Sequence, residues 1–331
     1  MRGSKVRLFL LAAVGAAQIL SAQDLEFSQV YNMPVYENPA FAGSEIGPRF
    51  SLAHRNQWAG LNNAYLSFAA AYDQWAQALS GGIGLMAVAD LQADGLYQRN
   101  SLAAIYAYRI RISEKSNMQV AAQVSAEQRR LRTDLLVFGE NINPFDGSIV
   151  SYGSADLPDQ SSRLFADFAS GFVFLTPSFF FGLSARHPTT PNESLGGNNA
   201  SPLPFRWSAQ LAKEFRSRQK YRTPVFFNPY AFYAEQGRFR QLQAGALLGV
   251  GVIYGGLSLR HSLRHADALI LHSGLMKGVF RMGYSFDATL SPLKNRGNGT
   301  HELAIVINMA DSEKTASRRH KRLQTRCPGI F

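Results

Sequence analysis

Met118-Gln-Val-Ala-Ala-Gln-Val-Ser-Ala-Glu127 alternates in steps of two. Met118, Val120, Ala122, Val124 and Ala126 fall on one face; Gln119, Ala121, Gln123, Ser125 and Glu127 fall on the other. That is the period of a β-strand, whose successive side chains point to opposite sides. Phe205, Trp207, Ala209 and Leu211 stand in the same way against Arg206, Ser208, Gln210 and Ala212. So do Phe280, Met282, Tyr284 and Phe286 against Arg281, Gly283, Ser285 and Asp287. A soluble β-sandwich alternates too, so alternation leaves the class open. Length decides it. The runs reach about ten residues or more, beyond the ~5–6 usual in soluble sheets, and tilted membrane-spanning strands need ~9–11.

Working outward, similar runs fall near 48–58, 64–75, 80–90, 97–111, 116–131, 163–175, 178–186, 203–217, 224–236, 239–249, 252–262, 267–276, 278–288 and 299–309. The spacing predicts an all-β fold, a transmembrane antiparallel β-barrel of outer-membrane type with about 14 strands, within 47–310. An even count brings both barrel ends to one side of the membrane. The longest connections, near 132–162, 187–202 and 289–298, then share the opposite side. The connections on the first side are short, as at Thr176-Pro177 and Lys277. Short periplasmic turns and long external loops characterise such barrels. Aromatics recur near strand ends, among them Trp58, Tyr65, Trp75, Tyr108, Trp207 and Tyr284, as membrane interfaces favour. Open sheet edges would leave unpaired backbone groups in hydrocarbon, so the strands must close on themselves.

Residues 1–22 read as a secretory signal peptide. Arg2, Lys5 and Arg7 precede a short apolar run from Leu8 to Leu20, and Ser21-Ala22 offers small residues for cleavage. After it, no run reaches the ~18 apolar residues of a membrane-spanning helix. The expected location is the outer membrane. The single cysteine, Cys327, allows no internal disulfide. Residues 23–46 lack strand period and carry Asn32, Pro34, Asn38 and Pro39; they read as a folded stretch in the periplasm or at the lumen mouth. Residues 311–331 form a basic periplasmic tail with Lys314, Arg318, Arg319, Lys321, Arg322 and Arg326 against Asp311 and Glu313. The tail supplies +4 of the formal +11, and the signal peptide +3. The mildly basic remainder is no footprint of a nucleic-acid groove. Two readings of the tail stand: a solvated end, or a contact arm for a periplasmic partner.

Four motifs resemble one family in its order. Tyr36-Glu-Asn-Pro-Ala-Phe-Ala-Gly-Ser44 looks like the "NPA-aromatic-AGS" element of PorP/SprF-type proteins, and Arg55-Asn-Gln-Trp-Ala-Gly60 is similar to their "R-x-Q-W-x-G". Gly283-Tyr-Ser-Phe-Asp-Ala-Thr-Leu-Ser291, followed by His301-Glu302, looks like "GYSYD-x-TLS … G-S-H-E". Arg326-Cys-Pro-Gly-Ile-Phe331 resembles the family's ending. Phe286 stands for a common Tyr, Gly299-Thr300 for Gly-Ser, and Pro292 follows the TLS. The resemblance implies a non-enzymatic outer-membrane component of the type IX secretion system, associated with protein secretion and gliding motility. It would support export or surface docking of a cargo such as an adhesin with a C-terminal sorting domain. The implied partners are that cargo, periplasmic components of the machinery and outer-membrane lipid.

Asn38, Pro39, Gly43, Trp58, Asn141, Phe145, Arg318, Arg319 and Cys327 are the candidate partner contacts. Each also has a plainer reading. Asn38-Pro39 can start a turn, and Gly43 permits a sharp bend into the first strand. Trp58 fits a membrane-interface aromatic, and Cys327 a passive thiol. Asp287, Arg281 and Ser285 share one polar face and fit a charge network in the lumen. His301 or Glu302 should face inward to make a structural hydrogen bond. Glu140-Asn-Ile-Asn-Pro-Phe-Asp146-Gly147 lacks the order of a calcium loop, and His261 and His265 merely share a strand face. No nucleophile motif, phosphate loop or cysteine cluster is present, so no catalytic residue, cofactor or metal is expected. The rival reading is an outer-membrane transport barrel or porin for a small solute, since a lumen of this size can hold a ligand or a plug.

Overall fold

The computed structural model describes residues 23–45, 47–61, 65–150, 160–196, 200–217, 223–263, 265–290 and 297–309. The candidate residues Arg318, Arg319 and Cys327 and residues 1–22 lie outside them. The strands are β1 (Arg49–Gln57), β2 (Tyr65–Ala76), β3 (Gly81–Gln92), β4 (Tyr97–Arg111), β5 (Asn117–Leu131), β6 (Ser162–Leu175), β7 (Phe179–Arg186) and β8 (Arg206–Lys213). They continue with β9 (Phe215–Arg216), β10 (Val225–Gln236), β11 (Phe239–Val250), β12 (Ile253–His261), β13 (Ala266–Lys277), β14 (Phe280–Thr289) and β15 (Thr300–Asn308). Each pairs antiparallel with its neighbours, and β15 returns to β1 from Arg49↔Asn308 to Gln57↔Thr300, closing the barrel. β8 and β9 both pair with β10 and make one stave, so the barrel has fourteen. The single strand expected over 203–217 is interrupted at Glu214, whose N–H donates to the Ser178 carbonyl at 2.7 Å.

The barrel is inside out relative to a soluble protein. Leu85, Leu102 and Phe280 are more than half exposed and project outward, where lipid covers apolar side chains. The alternate positions, Arg129, Arg206, Gln119 and Gln243 among them, are buried toward the lumen. β4 and β5 are the longest strands, at 15 residues each. At ~3.3 Å per residue they span about 50 Å, so even when tilted they reach past the apolar band of ~25 Å.

The lumen holds the amino-terminal segment. Residues 27–45 are buried throughout. Of the stretch expected at 23–46 in the periplasm or at the lumen mouth, the described residues 23–45 lie in the lumen and run the depth of the barrel as a plug. At the long-loop end, the Asp24 N–H donates to Gln236 Oε1 at 2.8 Å, at the close of β10. At the short-turn end, Arg109 near the close of β4 donates to the carbonyls of Gly43 (2.6 Å) and Ser44 (3.1 Å). The plug contains one helical turn, α1 (Pro34–Glu37), and a 3-10 turn (Pro39–Phe41). A proline opens each, where its missing N–H leaves nothing unpaired. Asn38 is extended between them, and its side chain accepts from the Ala40 N–H at 2.9 Å. Gly43 has φ +61°, and a Cβ there would meet the Gly82 Cα at 2.4 Å. Conformation and close approach both require glycine.

Candidate functional site

The plug is fastened by apolar and polar contacts together. Phe27 stands edge-on to Tyr36 at 5.0 Å, and Phe41 to Phe180 of β7 at 5.1 Å. Val30, Tyr31, Val35 and Phe41 join one apolar cluster with wall residues Ile105, Val173, Leu247 and Tyr254. The wall makes room with glycines. A Cβ on Gly171 would fall 2.1 Å from Asn38 Oδ1. Asn38 Nδ2 donates to the carbonyls of Phe172 (3.0 Å) and Leu183 (3.1 Å) on β6 and β7.

Three charge clusters tie plug to wall. In the first, the Ser28 and Gln29 N–H groups donate to the two oxygens of Glu302 at 2.7 and 2.9 Å. Arg55 reaches Glu302 at 3.1 Å and Asp287 at 3.3 Å, and Arg260 reaches Asp287 at 2.7 Å. Ser28 Oγ donates to Asp287 Oδ2 at 2.7 Å. In the second, Arg49 pairs with Asp73 at 2.9 Å and donates to the Phe41 carbonyl, while Asp73 accepts from the Gly43 N–H. In the third, His187 lies between Asp24 of the plug and Asp167 of β6, at 2.7 Å from each, and Arg99 faces Asp24 at 3.3 Å. Arg206 lies 3.5 Å from Glu26 and 3.6 Å from Glu37 of the plug. Burying ions without partners is expensive, so Arg99, His187 and Arg206, whose ionic partners include Asp24, Glu26 and Glu37, depend on the plug being in place.

Two of these groups have raised pKa values. Burial alone would lower the pKa of His187, but Asp24 and Asp167 overcome it and raise it to about 9. Burial would raise Asp24, and His187 with Arg99 hold it well below the usual carboxylate range. Burial lifts Glu37 to about 7, against the pull of Arg206. His187, raised above its ordinary 6.5, adds stability that is complete below about pH 6.5 and lost as pH rises through about 9. Glu37, raised above its ordinary 4.5, adds stability that is complete below about pH 4.5 and gone above about pH 7. Both act in one direction. His187 alone represents on the order of 3 kcal/mol. The melting temperature in detergent should fall between about pH 6.5 and 9, and His187→Gln should flatten that slope. An equal slope in the variant would rule this latch out.

The candidate residues fall in three places. Asn38 and Pro39 are fully buried in the lumen and Gly43 packs against Gly82, so these three serve the plug's turns and offer no surface. Trp58, at φ +57° just past β1, stands edge-on to Tyr65 at 5.4 Å at the long-loop end. Asn141 is buried within the β5–β6 connection, where its side chain accepts from the Phe138 N–H at 2.8 Å. Phe145 is 97% exposed at that loop's tip. Glu302 does face inward, and His301 accepts or donates on the outer face with Tyr284 at 2.7 Å. Asp287 joins a lumen charge network through Arg55 and Arg260. Ser28 and His187 were not singled out from the sequence, whereas Arg206 was, as a residue of a polar lumen face. Ser28 sits in a stretch without period and His187 directly after a strand; the polar lumen face of β8 was the one available signal for Arg206.

The family model for the type IX secretion system membrane protein PorP/SprF matches residues 19–307. No curated protein matches the chain. Among solved structures, the outer membrane protein Omp33 of Acinetobacter baumannii is similar at 8% identity and a TM-score of 0.43, covering 80% of this chain and 99% of that one. The CymD monoaromatic hydrocarbon channel is similar at 11% identity and a TM-score of 0.42, covering 85% of this chain and 91% of that one.

Proposed function

Because the chain belongs to the PorP/SprF family of type IX secretion system membrane proteins, we propose that it is a plugged, non-enzymatic docking barrel in the outer membrane. It holds a secreted cargo protein, such as an adhesin with a C-terminal sorting domain, at the cell surface, and its short-turn side meets periplasmic components of the machinery. The observation that carries this reading is the filled lumen. A segment buried from Phe27 to Glu45 and bound by three charge clusters occupies the lumen, which weighs against the transport barrel.

The outer loops support a protein partner. In the β5–β6 connection, Ile142 bridges to Ile149 in a small hairpin. Leu135, Val137, Ile142, Phe145, Ile149 and Val150 are all exposed there. At the long-loop end these side chains lie beyond the strands that lipid covers, and clustered apolar surface in water marks an interaction site. Removing residues 136–149, or the change Phe145→Asp, should release the surface protein into the medium while the barrel stays folded and inserted. Unchanged surface retention in both variants would rule out this loop as the seat of docking.

A further inference from the structure

Above residues 23–26 of the plug, the outer end of the lumen holds a cavity of about 600 Å³, within the range of ligand sites. Trp58, Tyr65, Tyr97 and Phe239 supply apolar walls, and Gln57, Gln92 and Gln241 bring amides into it. Trp58 keeps its positive φ of 57° there, an unusual backbone for a bulky residue, of the kind that clusters at binding sites.

The charges lining this vestibule are matched, with one exception. Arg99 faces Asp24, Arg260 is shared by Asp267 and Asp287, Arg55 serves Asp287 and Glu302, and Glu26 has Arg206 at 3.5 Å. Asp90 has no cation within ion-pair distance among the described residues. Its oxygens accept instead from Ser67 Oγ at 2.6 Å and Gln92 Nε2 at 2.8 Å. Asp90 is 6% exposed. Arg99 stands opposite Asp90 across β3 and β4 but turns its guanidinium to Asp24 and the Gln23 carbonyl, so Asp90 is held by neutral donors without an ion pair, and in a site shielded from water its charge attracts a further cation. Aromatic faces nearby add to the attraction. Glutamine amides suit the donors and acceptors of an extended backbone.

We propose that the vestibule binds a short extended peptide segment by seating one lysine or arginine side chain on Asp90 between the aromatic walls. The segment comes from the docked secreted protein, so the partner's identity rests on the docking reading above. The test uses the full-length protein in lipid nanodiscs. Calorimetry compares acetylated, amidated Ser-Phe-Lys-Phe-Ser with its glutamate and norleucine counterparts. The lysine peptide should bind at least tenfold more tightly than either, and Asp90→Asn should abolish that preference. Equal binding of the three peptides overturns the proposal without reference to any variant, and so does a preference that survives Asp90→Asn.

Affinity purification from cells separates the two readings. If a secreted protein co-purifies with the native barrel while the peptides bind equally, the vestibule proposal fails and docking stands. If the peptide preference holds and no secreted protein co-purifies, the binding site stands and docking fails.

Discussion

A barrel lacking residues 23–45 is expected to conduct ions where the native protein conducts none. The plug runs through the lumen from the outer vestibule to the short-turn end, so its removal should leave a water-filled lumen inside fourteen staves. The staves themselves need not fail, because their backbone pairing is complete without the plug and the closed ladder has no edge. The lumen face of the strands buries Arg49, Arg55, Arg99, Arg129, Arg186, Arg206, Arg260 and Arg281, against Asp73, Asp90, Asp167, Asp287 and Glu302. With the plug's Asp24, Glu26 and Glu37 removed, these arginines are in excess and the pore should prefer anions. In planar bilayers, the native protein should give a flat trace and the deletion variant stepwise, anion-selective openings. A deletion variant that is folded and still silent would mean that something besides the plug closes the lumen.

The second large effect is expected at Arg55. Its guanidinium donates to Ser28 Oγ at 2.6 Å while pairing with both Glu302 and Asp287. Arg55→Met leaves two buried carboxylates with Arg260 as the remaining cation described beside them, and breaking a buried pair in this way costs ~3–5 kcal/mol. Arg55→Lys should recover only part of that, since a compact ammonium lacks the planar fork by which the guanidinium spans its separate acceptors. The readout is the denaturant midpoint in detergent, together with protease cleavage within residues 23–45. Arg55→Met should lower the midpoint and expose the plug. A midpoint shift worth less than about 0.5 kcal/mol, the range of ordinary surface changes, would show that this cluster does not hold it.

The strands were legible in the sequence and the plug was not, for one physical reason. A strand between lipid and lumen has two faces of opposite character, so Phe280, Met282 and Tyr284 alternate visibly with Arg281, Gly283 and Ser285. The plug is surrounded by wall on every side. Phe27, Tyr31, Met33, Val35, Tyr36 and Phe41 are all buried with no regular spacing, so no period marks them. The nearest signals lay in the wall itself: Gly171 and Gly182 stand beside Asn38, and Gly283 lies against Gln29 and Asn32. The motif residues were visible as motifs, but their convergence was not. Arg55, Asp287 and Glu302 come from three separate stretches and meet at Ser28 only because β15 closes on β1. His187 gains its role from Asp24 and Asp167, which are distant in sequence and adjacent only once the plug is seated.

Docking is tested most directly by affinity purification of the tagged, full-length protein from its own outer membrane in mild detergent. Mass spectrometry would identify what comes with it, and a bilayer recording would follow on the same sample. One large secreted surface protein is expected, together with a barrel that does not conduct. A barrel recovered alone, with steady conductance in its native form, would contradict it and return the protein to the transport class.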